Sequence, residues 1–169
     1  LSKGHIVQAH VSESEKFPHV TFFLNGQSDL VQVGERHVKI DSRTDVATHD
    51  LAPEMKAKEI VDASIEELKV ADFLVINFPN ADVVGHTGNI PAIIEAVEAV
   101  DRECKRLVEH IVSIGGVALV TADHGNAEVT IDEATGAKHT AHTTNPVPCI
   151  LIGAGTEVKL RSGGTLADL

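Results

Sequence analysis

The sequence has no tryptophan and no tyrosine, and aromatic residues make up only 3% of it. Base-stacking platforms for single-stranded nucleic acid are therefore not expected. Basic residues are also scarce: 14 Lys and Arg against 25 Asp and Glu give a net charge of −11. That balance leaves no basic stripe for a phosphate backbone, so nucleic acid is not an expected partner. The two cysteines, Cys104 and Cys149, make no disulfide framework and fit a reducing compartment. No apolar run approaches the roughly 20 residues of a membrane span, and no signal peptide is visible at the start.

What is present is globular. The hydrophobic fraction is 43% and the charged fraction 23%, near the average for folded domains. A length of 169 residues is one domain's worth, enough to bury a sizeable core. Ten histidines stand out. The chain starts at Leu1 rather than Met and stops inside Gly163-Gly164-Thr165-Leu166-Ala167-Asp168-Leu169. That ending reads like the opening turn of a helix, so the expectation is a piece of a longer protein.

Strand and helix signals alternate. Ile6–Ala9 reads as a short strand and His19–Leu24 as a stronger one, rich in β-branched and aromatic residues. Val31–Val33 and His37–Ile40 read as edge strands in a polar stretch. Pro53, with Asp50 as nearby cap, opens a helix of about four turns. Phe73–Phe78 is a continuous apolar run, as a strand buried on both faces requires. From Ile90 to about Ile114, Ile93, Ile94, Val97, Val100, Cys104, Leu107, Val108 and Ile111 form one helical stripe, which Gly115-Gly116 stops. Val117–Thr121 and Val147–Ile152 are further strands. The fold class is α/β, with a mainly parallel sheet and helices on both faces. Ligands of such sheets bind beyond the carboxyl ends of the strands.

Three clusters sit at predicted strand ends: Asn80-Ala81-Asp82-Val83-Val84-Gly85-His86-Thr87-Gly88, Ala122-Asp123-His124-Gly125-Asn126, and His139-Thr140-Ala141-His142-Thr143-Thr144-Asn145-Pro146. Each supplies carboxylate or imidazole and none supplies thiolate, a donor set suited to borderline and hard divalent ions such as Mn²⁺ or Zn²⁺. Asp82, His86, Asp123, His124 and His142 are the candidate ligands. Asp82 and His86 share one turn, whereas the neighbours Asp123 and His124 are expected to splay apart toward different ions. Five ligands are too many for one open site and too few for two complete ones. Asp-His-Gly alone reads equally as a turn in which Gly125 supplies positive φ. His5, His10, His37, His49 and His110 read as surface or structural, and both cysteines as core.

These motifs, with Glu15-Lys16-Phe17-Pro18-His19-Val20-Thr21-Phe22-Phe23-Leu24-Asn25-Gly26 and Pro53-Glu54-Met55-Lys56-Ala57, closely resemble the cofactor-independent phosphoglycerate mutase family of the alkaline-phosphatase superfamily. The resemblance covers nearly the whole chain, in family order. It implies an alkaline-phosphatase-like fold and interconversion of 3-phosphoglycerate and 2-phosphoglycerate through a phosphoserine, supported by two divalent ions, Mn²⁺ first and Co²⁺ or Mg²⁺ as alternatives. By motif, Asp82, His86 and His142 match the ligands of one ion, with His139 as the alternative to His142. Asp123 and His124 match part of the second site. Lys16 matches a lysine that contacts the transferring phosphoryl group. The resemblance also implies a cytoplasmic, monomeric glycolytic and gluconeogenic enzyme whose partner is a small molecule. Nothing in the chain matches the family's N-terminal Asp, its nucleophilic Ser or its inserted phosphotransferase domain; Ser12, Ser14 and Ser28 lie in the wrong context to replace the nucleophile. Residues 1–169 are thus expected to be the C-terminal part of the metal-binding domain, inactive alone. A phosphopentomutase, a metal-dependent phosphatase and a non-catalytic metal-binding module are the alternatives.

Overall fold

The computed structural model describes residues 1–168. Its centre is a three-stranded parallel sheet in the order β2-β1-β3, formed by β1 (Gln8–Glu13), β2 (Glu35–Ile40) and β3 (Phe73–Asn77). Every residue of β1 is buried, as a middle strand covered on both faces requires. Successive side chains point to opposite faces. His10 meets the Val20 carbonyl at the end of α1 (Phe17–Val20), and Glu13 meets the Lys56 amide before α2 (Ala57–Glu67), so the two helices cover opposite faces.

The start of α2 depends on that contact. Lys56 stands at the N-cap without a side-chain cap of its own. Instead Glu13 Oε1 accepts its backbone N–H at 2.7 Å, placing a carboxylate where orphan amides and the helix dipole favour one. Ala57, Ile60, Val61 and Ser64 then face inward at helical spacing. Pro53 lies ahead of this helix rather than in its first turn, and Asp50 bonds Asn89 at 2.9 Å instead of capping it.

The helix α3 (Asn80–Gly85) follows β3 at once, and α4 (Ile90–Ser113) packs on both α3 and α2. Gly115 (φ +80°) ends α4, with Gly116 N–H bonding the Ile111 carbonyl at 2.8 Å. The buried face of α4 keeps only part of the expected stripe: Ile93 and Leu107 are buried, and Val100, Cys104, Val108 and Ile111 half-buried. It runs through Ala92, Ile93, Ala96, Ala99, Glu103 and Leu107, while Ile94 and Val97 are exposed. Alanines let the neighbouring helices approach closely. Glu103 enters that face because Arg106 pairs with it and also with Asp62 of α2.

Other expectations need correction. The stretch 19–24 is not a strand. Pro18 lies in the first turn of α1, where its missing N–H costs nothing, and Thr21 Oγ1 donates back to the Phe17 carbonyl at 2.8 Å. Helical turns continue from there to Gln27. The residues 31–33 form no strand and lie exposed. The first strand extends past Ala9 to Glu13 because its polar side chains find partners inside. Phe73–Asn77 is half-buried rather than buried on both faces. The strands β4 (Ala118–Thr121) and β5 (Cys149–Ile152) do not join the parallel sheet; they pair antiparallel with each other. Cys149 is consequently exposed, not core, and Cys104 half-buried. No helix of the described residues is long and apolar enough to cross a membrane.

Candidate metal centre

Three of the candidate ligands meet. Asp82 lies on α3 and His86 caps its C-terminal end, one turn later on the same face. His142 comes from the long connection between β4 and β5. The Asp82 Oδ1 atom is 3.1 Å from His86 Nε2 and 3.0 Å from His142 Nε2, and the two nitrogens are 3.2 Å apart. Atoms about 2.1 Å from a common ion stand about 3.0 Å apart at right angles and about 3.4 Å apart in a tetrahedron. The three observed separations fall in that interval, so the residues present fit one divalent ion.

The protonation pattern agrees. His86 Nδ1 lies 2.7 Å from the Thr140 carbonyl, which can only accept, so this nitrogen carries the proton. In the neutral ring, Nε2 is then free to donate a lone pair, the usual arrangement of a metal-binding imidazole. Asn126, buried at 6% exposure, donates from Nδ2 to Asp82 Oδ1 at 3.1 Å. Its side chain fills the space beside Gly85, where a Cβ would stand 2.2 Å from Asn126 Oδ1.

Lys16 reaches the same carboxylate from the N-cap of α1. Its Nζ is 2.7 Å from Asp82 Oδ2, and both side chains are 16% exposed. Burial alone would raise the Asp82 carboxyl; the Lys16 ammonium, followed by His86 and His124, outweighs it and holds the group below the usual carboxylate range. Asp82 is therefore ionised at neutral pH, with one oxygen toward the imidazoles and the other toward the ammonium.

Asp123 and His124 are adjacent but outside the triad. The His124 ring stacks on His142, centroids 3.7 Å apart and planes at 20°. Its Nε2 is 3.7 Å from Asp123 Oδ2, so the neighbouring side chains turn toward each other instead of splaying. Gly125 is not at positive φ. What it supplies is space: a Cβ there would lie 2.2 Å from both Glu128 Oε1 and Thr143 Oγ1. The alternative His139 bonds the Val129 carbonyl at 3.2 Å and is not part of the triad.

His19 was not among the candidates, although it lies within a motif singled out for Lys16. It sits three residues after Lys16, on the same face of α1. Partial burial, then the Lys16 charge, holds its imidazole below the ordinary value, against the pull of Asp123 and Asp82. Its ring packs against Phe23, centroids 5.4 Å apart. The i, i+3 spacing was the available signal.

A second group of His and carboxylate, His10, Glu35 and His37, also lies close enough to share an ion. There, however, His10 Nδ1 is taken by the Val20 carbonyl at 2.5 Å and Glu35 accepts from Gln32, Asn25 and His37. These bonds tie the group into the sheet and its neighbours.

The chain is similar over its whole length to part of the 2,3-bisphosphoglycerate-independent phosphoglycerate mutase of Chloroflexus aggregans, at 53% identity over 175 residues, covering 100% of this chain and 32% of that one. It is 51% identical over 171 residues to 2,3-bisphosphoglycerate-independent phosphoglycerate mutase 1 of Methanosarcina acetivorans, covering 100% and 33%. The chain thus spans about a third of the length of the curated relatives it matches. A crystal structure of Leishmania mexicana phosphoglycerate mutase at low cobalt concentration superposes with a TM-score of 0.86 and 34% identity, covering 95% of this chain and 32% of that one. The model of the metalloenzyme superfamily matches residues 1–169, and the chain belongs to that superfamily.

Proposed function

We propose that the protein carrying this chain is a 2,3-bisphosphoglycerate-independent phosphoglycerate mutase, an isomerase that moves a phosphoryl group between the 3- and 2-hydroxyls of glycerate by way of a phosphoserine. Asp82, His86 and His142 hold one divalent ion. Asp123 and His124 contribute to a second, whose other ligands, like the serine, come from outside the chain. The family resemblance makes Mn²⁺ the first choice, with Co²⁺ or Mg²⁺ as alternatives, and the thiolate-free donor set is compatible with it. Divalent ions bound there would neutralise charge on the phosphoryl oxygens and ease deprotonation of the attacking hydroxyl.

Lys16 supplies the chain's own positive point charge. Held at Asp82 Oδ2, its ammonium stands beside the triad and would engage a non-bridging phosphoryl oxygen. The observation that carries this reading is the division of one carboxylate between a lysine and two imidazoles, in a chain about half identical to named mutases. The substrate is a small molecule, and the parent is a monomer of the cytoplasm acting in glycolysis and gluconeogenesis. The chain is the C-terminal part of its metal-binding domain and is inactive alone.

The test is an assay of the intact protein with Mn²⁺ and 3-phosphoglycerate, without any bisphosphoglycerate. Formation of 2-phosphoglycerate is expected, and Lys16→Ala is expected to lower its rate about 100-fold or more, in line with loss of one preorganised charge contact. Phosphomonoester hydrolysis without isomerisation would instead identify another member of the superfamily.

A further inference from the structure

The loops that bring His124 and His142 together have no regular secondary structure, so something else must fix their relative position. Two ties are visible between the backbone and rings: Thr143 N–H bonds the Gly125 carbonyl at 2.8 Å, and the two imidazoles stack. The third tie is a side chain with no role in the reading above. Glu128 Oε2 accepts the Asn126 backbone N–H at 2.6 Å. Its other oxygen, Oε1, accepts the Asn145 side-chain amide at 3.0 Å and the Thr143 hydroxyl. One carboxylate therefore spans both loops, and Gly125 is the residue that leaves room for it.

Each end of this bridge leads to the triad. Asn126, fixed through its backbone, presents its side-chain amide to Asp82 Oδ1 at 3.1 Å and to His86 Nε2 at 3.5 Å. Thr143 and Asn145 directly follow His142 in the loop that delivers it. The Thr143 hydroxyl is the largest cause holding the Glu128 carboxyl below its usual range, ahead of opposing burial. The bridge thus carries charge at neutral pH, and charged acceptors make the stronger hydrogen bonds.

We propose that Glu128 is a positioning residue of the metal centre: its carboxylate buckles the 123–128 loop to the 140–145 loop, setting Asn126 against Asp82 and His86 and His142 against both. The proposal rests on reading Asp82, His86 and His142 as metal ligands. Groups that orient ligands in this way alter metal affinity about 10- to 100-fold when removed.

The experiment titrates Mn²⁺ alone into the metal-free intact protein by calorimetry and records the metal-free melting temperature of every variant. Glu128→Ala is expected to weaken binding about tenfold or more with little change in melting temperature. Glu128→Gln is expected to restore affinity to within about threefold, because its amide oxygen still takes the Asn126 N–H, its NH₂ faces a hydroxyl able to accept, and the Asn145 amide can turn its oxygen toward that NH₂. Unchanged affinity in Glu128→Ala overturns the proposal. So does a loss that Glu128→Gln shares in full alongside an equal fall in melting temperature, which marks a merely structural role. Should Glu128→Ala not fold, Thr143→Val severs one arm of the bridge; binding about threefold weaker supports the proposal, and unchanged binding overturns it. His142→Ala runs as a control in the same titration. If that variant keeps full affinity, the ligand reading fails regardless of what Glu128 does.

Discussion

Two clusters in this chain are built from the same parts, one carboxylate and two imidazoles, and are bonded differently. In the sheet, His10 and His37 are register partners on β1 and β2, with Glu35 at the start of β2. The Glu35 side chain is fully buried, and its oxygens accept from His37 at 2.5 Å, Asn25 at 2.8 Å and the Gln32 amide at 2.7 Å. Burial would raise its carboxyl, but these donors outweigh that and hold it low. At the strand ends, Asp82, His86 and His142 converge with both imidazoles about half exposed. There the lone pairs face a common point. Ligand-type residues in proximity are therefore weak evidence of a metal site; what distinguishes the two clusters is whether the ring nitrogens are bonded into the protein, as both of His10 are, or converge with a carboxylate oxygen, as those of His86 and His142 do.

The sharpest way to break this contrast is ligand truncation. His142→Ala is expected to weaken Mn²⁺ binding by about 100-fold or more, beyond the loss typical for groups that merely orient ligands, whereas His37→Ala leaves it unchanged. Calorimetric titration of both in the intact protein decides; a metal response in His37→Ala would show that the sheet cluster also takes an ion. Next in size is Glu35→Ala. It strands the Gln32 amide and the Asn25 side chain, and is expected to cost about 2 to 4 kcal/mol in urea denaturation with Mn²⁺ affinity intact. The smallest effect is on pH dependence. Burial holds His10 below its ordinary value of 6.5, outweighing the Val20 carbonyl. As pH falls below 6.5 the unfolded chain takes a proton that the folded chain refuses, so stability declines until the lower folded value is reached. The slope is at most about 1.4 kcal/mol per pH unit. Urea midpoints between pH 7 and pH 5.5 should fall in the wild type and flatten in His10→Gln; equal slopes would remove His10 as the cause.

What was legible in the sequence follows from range. The helix over 90–113 and the three strand-end clusters are local patterns, and the structure has them. The inward face of α4 differs from its hydropathy stripe at Ile94 and Val97, because close packing against α2 and α3 selects alanines. The run 19–24 has strand composition, yet Pro18 and the Thr21 hydroxyl bend it into turns. The antiparallel pairing of β4 and β5 is a long-range choice that no local pattern records. Asp82, His86 and His142 were visible because each lies in a motif. Glu128 and Asn126 were hidden because their importance lies in partners up to 44 residues away.

The buried cap on α2 has a dynamic consequence. Helix ends normally fray, and their first amides exchange with solvent while the remainder stays folded. Here the acceptor for the Lys56 amide is a carboxylate with no exposure, anchored in the middle strand three residues before Lys16. That amide cannot be released without separating helix from sheet. The first turn of α2, the end of β1 and the segment that carries the lysine toward the centre therefore open together, as a single unit in hydrogen exchange, or not at all.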